Sequence, residues 1–215
     1  MNRTRIEWCD YTWNPVTGCL HGCVYCYARK MARRFYPPEV GFKPHLWRER
    51  LQEPELLKKP ARIFTCSMAD LCGEWVPEEW INAVLETVRN CPRHTFIFLT
   101  KNPKRLKEFN PWPGNAWVGA TATVQEEYEK MTPHLSVVEA AVRFISFEPL
   151  LGPISLRLDP GHLSWAVIGA MTGPKAVKPE LGWIERLIDR CKLLDIPVFA
   201  KANLDWPEDI QEWPG

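Results

Sequence analysis

The chain predicts an α/β fold, a compact or partial (β/α) barrel, on three observations. Short β-rich apolar runs recur along it, amphipathic helical stretches lie between several of them, and most runs end in polar or glycine-containing residues. Near-continuous apolar strands alternating with helices are the pattern of parallel β/α units. In a parallel barrel the functional groups gather at the C-terminal ends of the strands. The string therefore predicts one mouth that collects all of those polar termini.

Taken in order, Tyr27 to Phe35 reads as a helix stopped by Pro37-Pro38, where proline cannot continue the hydrogen-bond ladder. Residues 39–60 carry Pro44, Pro54 and Pro60 among charged residues and read as loop with short helices. Strands are expected at Arg62–Cys66, Thr95–Leu99, Trp117–Ala120, Val142–Phe147, Trp165–Ile168 and Pro197–Ala200. A further strand just before Cys19 brings the number to seven. Helices are expected at Glu78–Asn90, Val124–Met131 (with a second piece at Leu135–Ala140) and Trp183–Leu194. Seven strands suit a partial barrel, although a doubly wound open sheet gives a similar string. The tail, about 204–215, is broken by Trp-Pro and Pro-Gly pairs and reads as irregular.

At 215 residues the chain is most simply one domain, 1–215, with a full hydrophobic core. Its 46% hydrophobic and 25% charged shares are those of an ordinary globular protein. No apolar run approaches the roughly 20 residues that span a bilayer. The first residues carry no signal-like apolar stretch, so no membrane partner and a cytoplasmic location are expected. Eight cysteines in a reducing compartment point to metal where they cluster and to core where they stand apart. Cys66, Cys72, Cys91 and Cys191 stand apart, while Cys9 reads as a core residue or a fourth ligand. Net charge is +1, yet residues 1–60 hold eleven Lys and Arg against six Asp and Glu. The basic run Arg29-Lys30-Met31-Ala32-Arg33-Arg34 is either a solvated helix face or a rim that attracts an anionic substrate or an acidic electron donor.

The densest chemical signal is Cys19-Leu20-His21-Gly22-Cys23-Val24-Tyr25-Cys26, a C-x3-C-x2-C trio with an aromatic before the last cysteine. Three thiolates in so short a loop can hold three corners of a 4Fe–4S cubane and leave the fourth iron open. These residues resemble the cluster motif of the radical S-adenosylmethionine (SAM) superfamily. The context Ile6-Glu7-Trp8 and Trp13-Asn14-Pro15-Val16-Thr17-Gly18-Cys19 is similar to a family of phage and prokaryotic radical-SAM-like proteins. Further matches are Ser67-Met68-Ala69-Asp70-Leu71, Leu99-Thr100-Lys101-Asn102-Pro103, Phe147-Glu148-Pro149-Leu150-Leu151-Gly152-Pro153 and Gly169-Ala170-Met171-Thr172-Gly173-Pro174.

The resemblance implies a barrel of the radical SAM type whose cluster loop, 18–27, sits at the mouth. It implies Cys19, Cys23 and Cys26 as ligands of a 4Fe–4S cluster, with SAM on the open iron. One electron then cleaves SAM, and the 5′-deoxyadenosyl radical takes a hydrogen from substrate. A flavodoxin or ferredoxin would supply the electron, and the cofactor does the chemistry while the protein aims it. Tyr25 resembles the aromatic whose backbone lies beside the SAM adenine. Ser67 and Asp70 stand where many members carry Gly-Gly-Glu for the methionyl amine. They read either as its acceptors or as helix caps.

From position alone, Lys101 is a solvated loop lysine or a partner for a carboxylate at the mouth. Glu148 ends an apolar strand where a buried charge needs a partner, which Lys101 or Lys201 can supply. These two are the catalytic candidates. Ser146, Thr172 and Lys201 join Tyr25, Ser67 and Asp70 as cofactor-binding candidates. His21 reads as a residue that orients the loop or faces solvent, and Gly18 and Gly22 as positions needing positive φ. The expected function is reductive SAM cleavage on a nucleotide or nucleic acid in preference to a peptide. Two alternatives stand beside it. One is a non-catalytic zinc or cluster module on nucleic acid, with Cys9 or His21 as fourth ligand. The other is a barrel that keeps the cluster but no longer cleaves SAM.

Overall fold

A computed structural model of the chain describes residues 1–157, 163–173 and 176–215. Its strands are β1 (Asn2–Arg3), β2 (Tyr11–Trp13), β3 (Val16–Thr17), β4 (His45–Leu46), β5 (Arg62–Thr65), β6 (Thr95–Thr100), β7 (Ala116–Thr121), β8 (Val142–Phe147), β9 (Trp165–Ile168) and β10 (Val198–Ala200). The helices are α1 (Tyr27–Phe35), α2 (Glu78–Asn90), α3 (Gln125–Leu135) and α4 (Leu181–Leu193). Among the described residues no helix is long and apolar enough to cross a membrane.

The main sheet runs β1-β2-β5-β6-β7-β8-β9-β10. Within it β1 is antiparallel to β2, and every later pairing is parallel. Strand order follows chain order without reversal. A doubly wound sheet turns back at a switch point, so that alternative is removed, and the architecture is an α/β partial barrel.

Side chains alternate across the sheet, and the core divides accordingly. Ile63, Phe96, Phe98, Val118, Ile145, Phe147, Ile168 and Val198 share a cluster with Ile81, Val84, Leu85 and Val88 of α2 and Ile184, Leu187, Ile188 and Cys191 of α4. Both helices thus bury residues at i, i+3, i+4 and i+7, one apolar stripe each. The intervening residues, Phe64, Ile97, Phe144, Trp165, Val167 and Phe199, form a second cluster with Trp8 and Cys9 inside the half-barrel. Burying each such side chain contributes about 1.5–3 kcal/mol.

Two expectations are corrected, and the tail is irregular as expected. The strand before Cys19 is two pieces, because Pro15 has no amide hydrogen to continue the ladder. Tyr11–Trp13 joins the main sheet beside β5, whereas β3 pairs with β4 outside it. No helix follows at Leu135–Ala140, for Asn110 holds that segment open: its amide donates to the Val137 carbonyl and its oxygen accepts from the Glu139 amide. The tail lacks regular strands yet is anchored. The Ala200 amide donates to the Ile210 carbonyl at 2.8 Å and the Glu212 amide to the Val198 carbonyl at 2.9 Å, covering the free edge of β10.

Candidate functional site

Polar residues replace apolar ones toward the C-terminal end of the inner face. On β8 the inward sequence is Val142, Phe144, Ser146 and then Glu148, and beyond β10 it passes from Phe199 to Lys201. The mouth opens there as a cavity of about 1150 Å³. All eleven candidate site residues line it, from the cysteine loop and five further stretches at strand ends.

The cysteine loop is placed by backbone geometry and tethers. Gly18 sits at φ +90°, and a Cβ there would lie 2.0 Å from the Lys43 carbonyl oxygen. Its amide donates to the Met68 carbonyl at 2.9 Å. Cys26 caps α1, its sulfur accepting from the Arg29 amide at 3.4 Å. His21 of the same loop meets Asp70 at 2.7 Å and packs edge-on against Trp75, so the loop-orienting role is the one the geometry displays. Tyr25 lays its ring 5.3 Å from the Lys101 ammonium. Burial, then the Cys23 thiol and Glu127, raise its phenol above the ordinary range.

Asp70 is the hub of this wall. It is buried, and its two oxygens accept from the Cys72 amide, the Thr100 hydroxyl at 2.6 Å and the Lys101 amide at 2.8 Å, besides meeting His21. A carboxylate so occupied ties the ends of β5 and β6 to the cysteine loop. Asn14 is a second tether that sequence reasoning did not single out. Its side-chain oxygen accepts from the Ser67 hydroxyl at 3.2 Å and the Met68 amide at 2.9 Å. The Ser67 carbonyl in turn accepts from the Tyr27 hydroxyl at 2.8 Å. Asn14 carries no periodic signal, since it lies between Trp13 and Pro15 where the strand breaks.

The opposite wall is built from strand ends. Glu148 pairs with Lys201, both largely shielded, so Lys201 and not Lys101 is the partner of that carboxylate. Gly169 leaves room for the pair: a Cβ there would meet Lys201 and Glu148 carbons at 2.9 and 3.0 Å. Ser146 is 1% exposed and its hydroxyl has no partner among the described residues. Thr172 lines the rim, while Pro174 of the same motif lies outside the described residues.

Cys19, Cys23 and Cys26 are free thiols on one wall, half-buried. Burial first, with the charges of Asp70, Cys23 and Cys26, pushes the Cys19 thiol up to about 11. Among the described residues no three His, Cys, Asp or Glu side chains are arranged to hold a single metal ion. Cys9 does not line the cavity. It is buried in the inner apolar cluster, its thiol pushed up to about 12 by burial, and its sulfur faces the Ile6 carbonyl. The zinc set with Cys9 or His21 as fourth ligand therefore has no counterpart in this geometry. A cubane asks for a different donor set: each thiolate takes its own iron, so three thiols spread along a cavity wall suit it. The buried Ser146 hydroxyl, unpartnered among the described residues, lines the same cavity.

The fold has recognisable counterparts. Two solved structures of spore photoproduct lyase share it, one complexed with dinucleoside spore photoproduct and one a mutant with bound AdoMet and the same dinucleoside. Their TM-scores are 0.54 and 0.51 at 10% and 11% identity. The match covers 90% of this chain and 53% of each lyase chain, so the chain spans about half their length. The class is an α/β partial barrel, the fold these lyase structures share. No curated protein matches the sequence at a significant level. Residues 3–212 match the family described as "Protein of unknown function (DUF5131)", and the chain belongs to that family.

Proposed function

We propose that the protein is a radical SAM enzyme whose substrate is a nucleotide or a nucleic acid. The observation that carries this reading is the convergence of Cys19, Cys23 and Cys26 with eight polar or aromatic residues on one cavity at the mouth of the partial barrel. When bound, a 4Fe–4S cluster on these thiolates supplies the electron for reductive cleavage of SAM. The likeness of the fold to a lyase with bound AdoMet supports the cofactor. The volume, about 1150 Å³, exceeds the roughly 300–1000 Å³ of a single small-ligand pocket and leaves room for substrate beside cofactor.

The chain's own residues bind, orient and exclude water. Asp70, through His21, holds the cysteine loop against the ends of β5 and β6. Ser146 offers a desolvated hydroxyl, and Lys101 an ammonium over Tyr25, to groups entering the cavity. The Glu148–Lys201 pair fixes the far wall, and a loaded site is closed below by the apolar floor, which shields reactive species from water. An acidic flavodoxin or ferredoxin would supply the electron.

Anaerobic reconstitution tests the reading. It should give about four iron and four sulfide per chain, and dithionite with SAM should yield 5′-deoxyadenosine. Cys23→Ala should lose both iron and product. A Cys23→Ala chain with a normal cluster overturns the ligand assignment. An intact, reduced cluster that leaves SAM untouched favours the cluster-keeping barrel without SAM cleavage. One observation speaks for that second reading: Asp70, placed where an ammonium acceptor is expected, already has its oxygens occupied by four protein groups.

A further inference from the structure

Helix α1 buries only Ala28 and Ala32 and leaves the rest of its surface partly or fully open. Tyr27, Met31 and Phe35, spaced i, i+4 and i+8, are 46%, 42% and 62% exposed, and all three line the cavity. Residues three and four apart share a helix face, so Lys30 and Arg34 flank this stripe along its length. Neither has a carboxylate partner among the described residues, and neither does Arg3, Arg5 or Lys101 inside the cavity. The cavity's acids are already committed. Glu53 pairs with the Met1 ammonium, Glu148 with Lys201, and Asp70 accepts from its four donors.

Cations without carboxylate partners beside exposed rings, Arg34 lying 5.4 Å from the Phe35 ring centre, match the chemistry of unpaired nucleotides: phosphates need positive charge, and every base offers a face to stack. A duplex hides those faces, so the stripe favours a single strand. Its length favours more than one nucleotide, since the eight-residue step from Tyr27 to Phe35 rises about 12 Å, roughly the length of three or four stacked bases. We infer that α1 is a track for single-stranded nucleic acid, bases on Tyr27 and Phe35 and phosphates on Lys30 and Arg34, leading a nucleotide into the cavity. This rests on the nucleic-acid part of the reading above and deepens it.

Fluorescence anisotropy of a labelled dodecathymidylate on the full-length, reconstituted protein tests the track. The competitors are a 12-base-pair duplex, free thymidylate and phosphatidylserine vesicles. The single strand should bind at least tenfold tighter than the duplex or the mononucleotide. Phe35→Ala, at an exposed position, should weaken it about tenfold. Lys30→Glu with Arg34→Glu should flatten the log K against log salt slope by about 1.4. Thermal melting and iron content report that the variants are folded. The track is overturned if the duplex competes equally, if vesicles bind and the oligonucleotide does not, or if neither variant moves the affinity. SAM cleavage measured in the same sample separates the two ideas. Cleavage without oligonucleotide binding sinks the track alone, whereas binding without cleavage sinks the enzymatic reading alone.

Discussion

The floor of the half-barrel and its mouth are held by different physics. On the floor, Trp8 lies 4.6 Å from Phe64, and Trp165 touches Phe144, Phe199 and the tail's Trp213, which stacks on it at 5.3 Å. Stability there is spread over apolar area, so any one ring contributes a share. At the mouth the cysteine loop has little buried apolar surface, with Leu20 57% and Val24 90% exposed. Its position depends on a few polar atoms, above all the oxygens of Asp70 and Asn14. Area tolerates local loss, whereas a shielded carboxylate with four partners does not.

The sharpest way to break this contrast is Asp70→Ala. It strands a hydroxyl, two amides and His21 in a shielded place, and about 3 kcal/mol of stability should go. In a chain of this size that is about 6–12 °C in melting temperature. Iron incorporation should fall with it. A variant that melts within about 2 °C of the parent and keeps its iron would show that the loop is held by something else. Trp213→Ala should cost about 2 kcal/mol by removing one ring from the floor. Iron uptake should stay normal, and a matched loss of iron would erase the distinction between the two regions.

Alkaline titration sharpens the same point. Burial pushes the Cys9 and Cys191 thiols from 9.0 to about 12, so the folded chain retains protons that the unfolded chain releases. Their contribution is fully present below pH 9 and is lost as pH rises from 9 toward 12. The slope is at most about 1.4 kcal/mol per pH unit for each thiol. The gap between the urea midpoints of the parent and of Cys9→Ala with Cys191→Ala should stay constant from pH 8 to 9 and narrow above pH 9. Parallel curves throughout would place those thiols in contact with water. The smallest effect is expected from Asn14→Ala, about 1 kcal/mol by urea unfolding. It leaves the Ser67 hydroxyl and Met68 amide unpartnered, and no change would mean water replaces the side chain fully.

The floor was largely legible because its signal is periodic. The six later strands and the bounds of α1 and α2 follow from apolar runs, proline stops and the 3.6-residue stripe. The mouth was legible as a set, since strand ends in a parallel barrel share one opening, but not as a network. That His21 would reach Asp70, 49 residues away, or that Asn14 would seat Ser67 and Met68, depends on loops whose path no period encodes. Cys9 stayed open for the same reason: ten residues in sequence separate it from Cys19, and only the fold shows it buried in the inner apolar cluster, away from the cavity lining. Pro15 announced a break but not that the two halves would join different sheets.

Gly18 carries one more consequence. Because its missing side chain is what lets the loop lie against Lys43, the cysteines are located by a space as well as by their polar tethers. Selection can therefore act on that position only to forbid. Among relatives, drift should run freely through Leu20 and Val24 and stop dead at the glycine beside the first thiol.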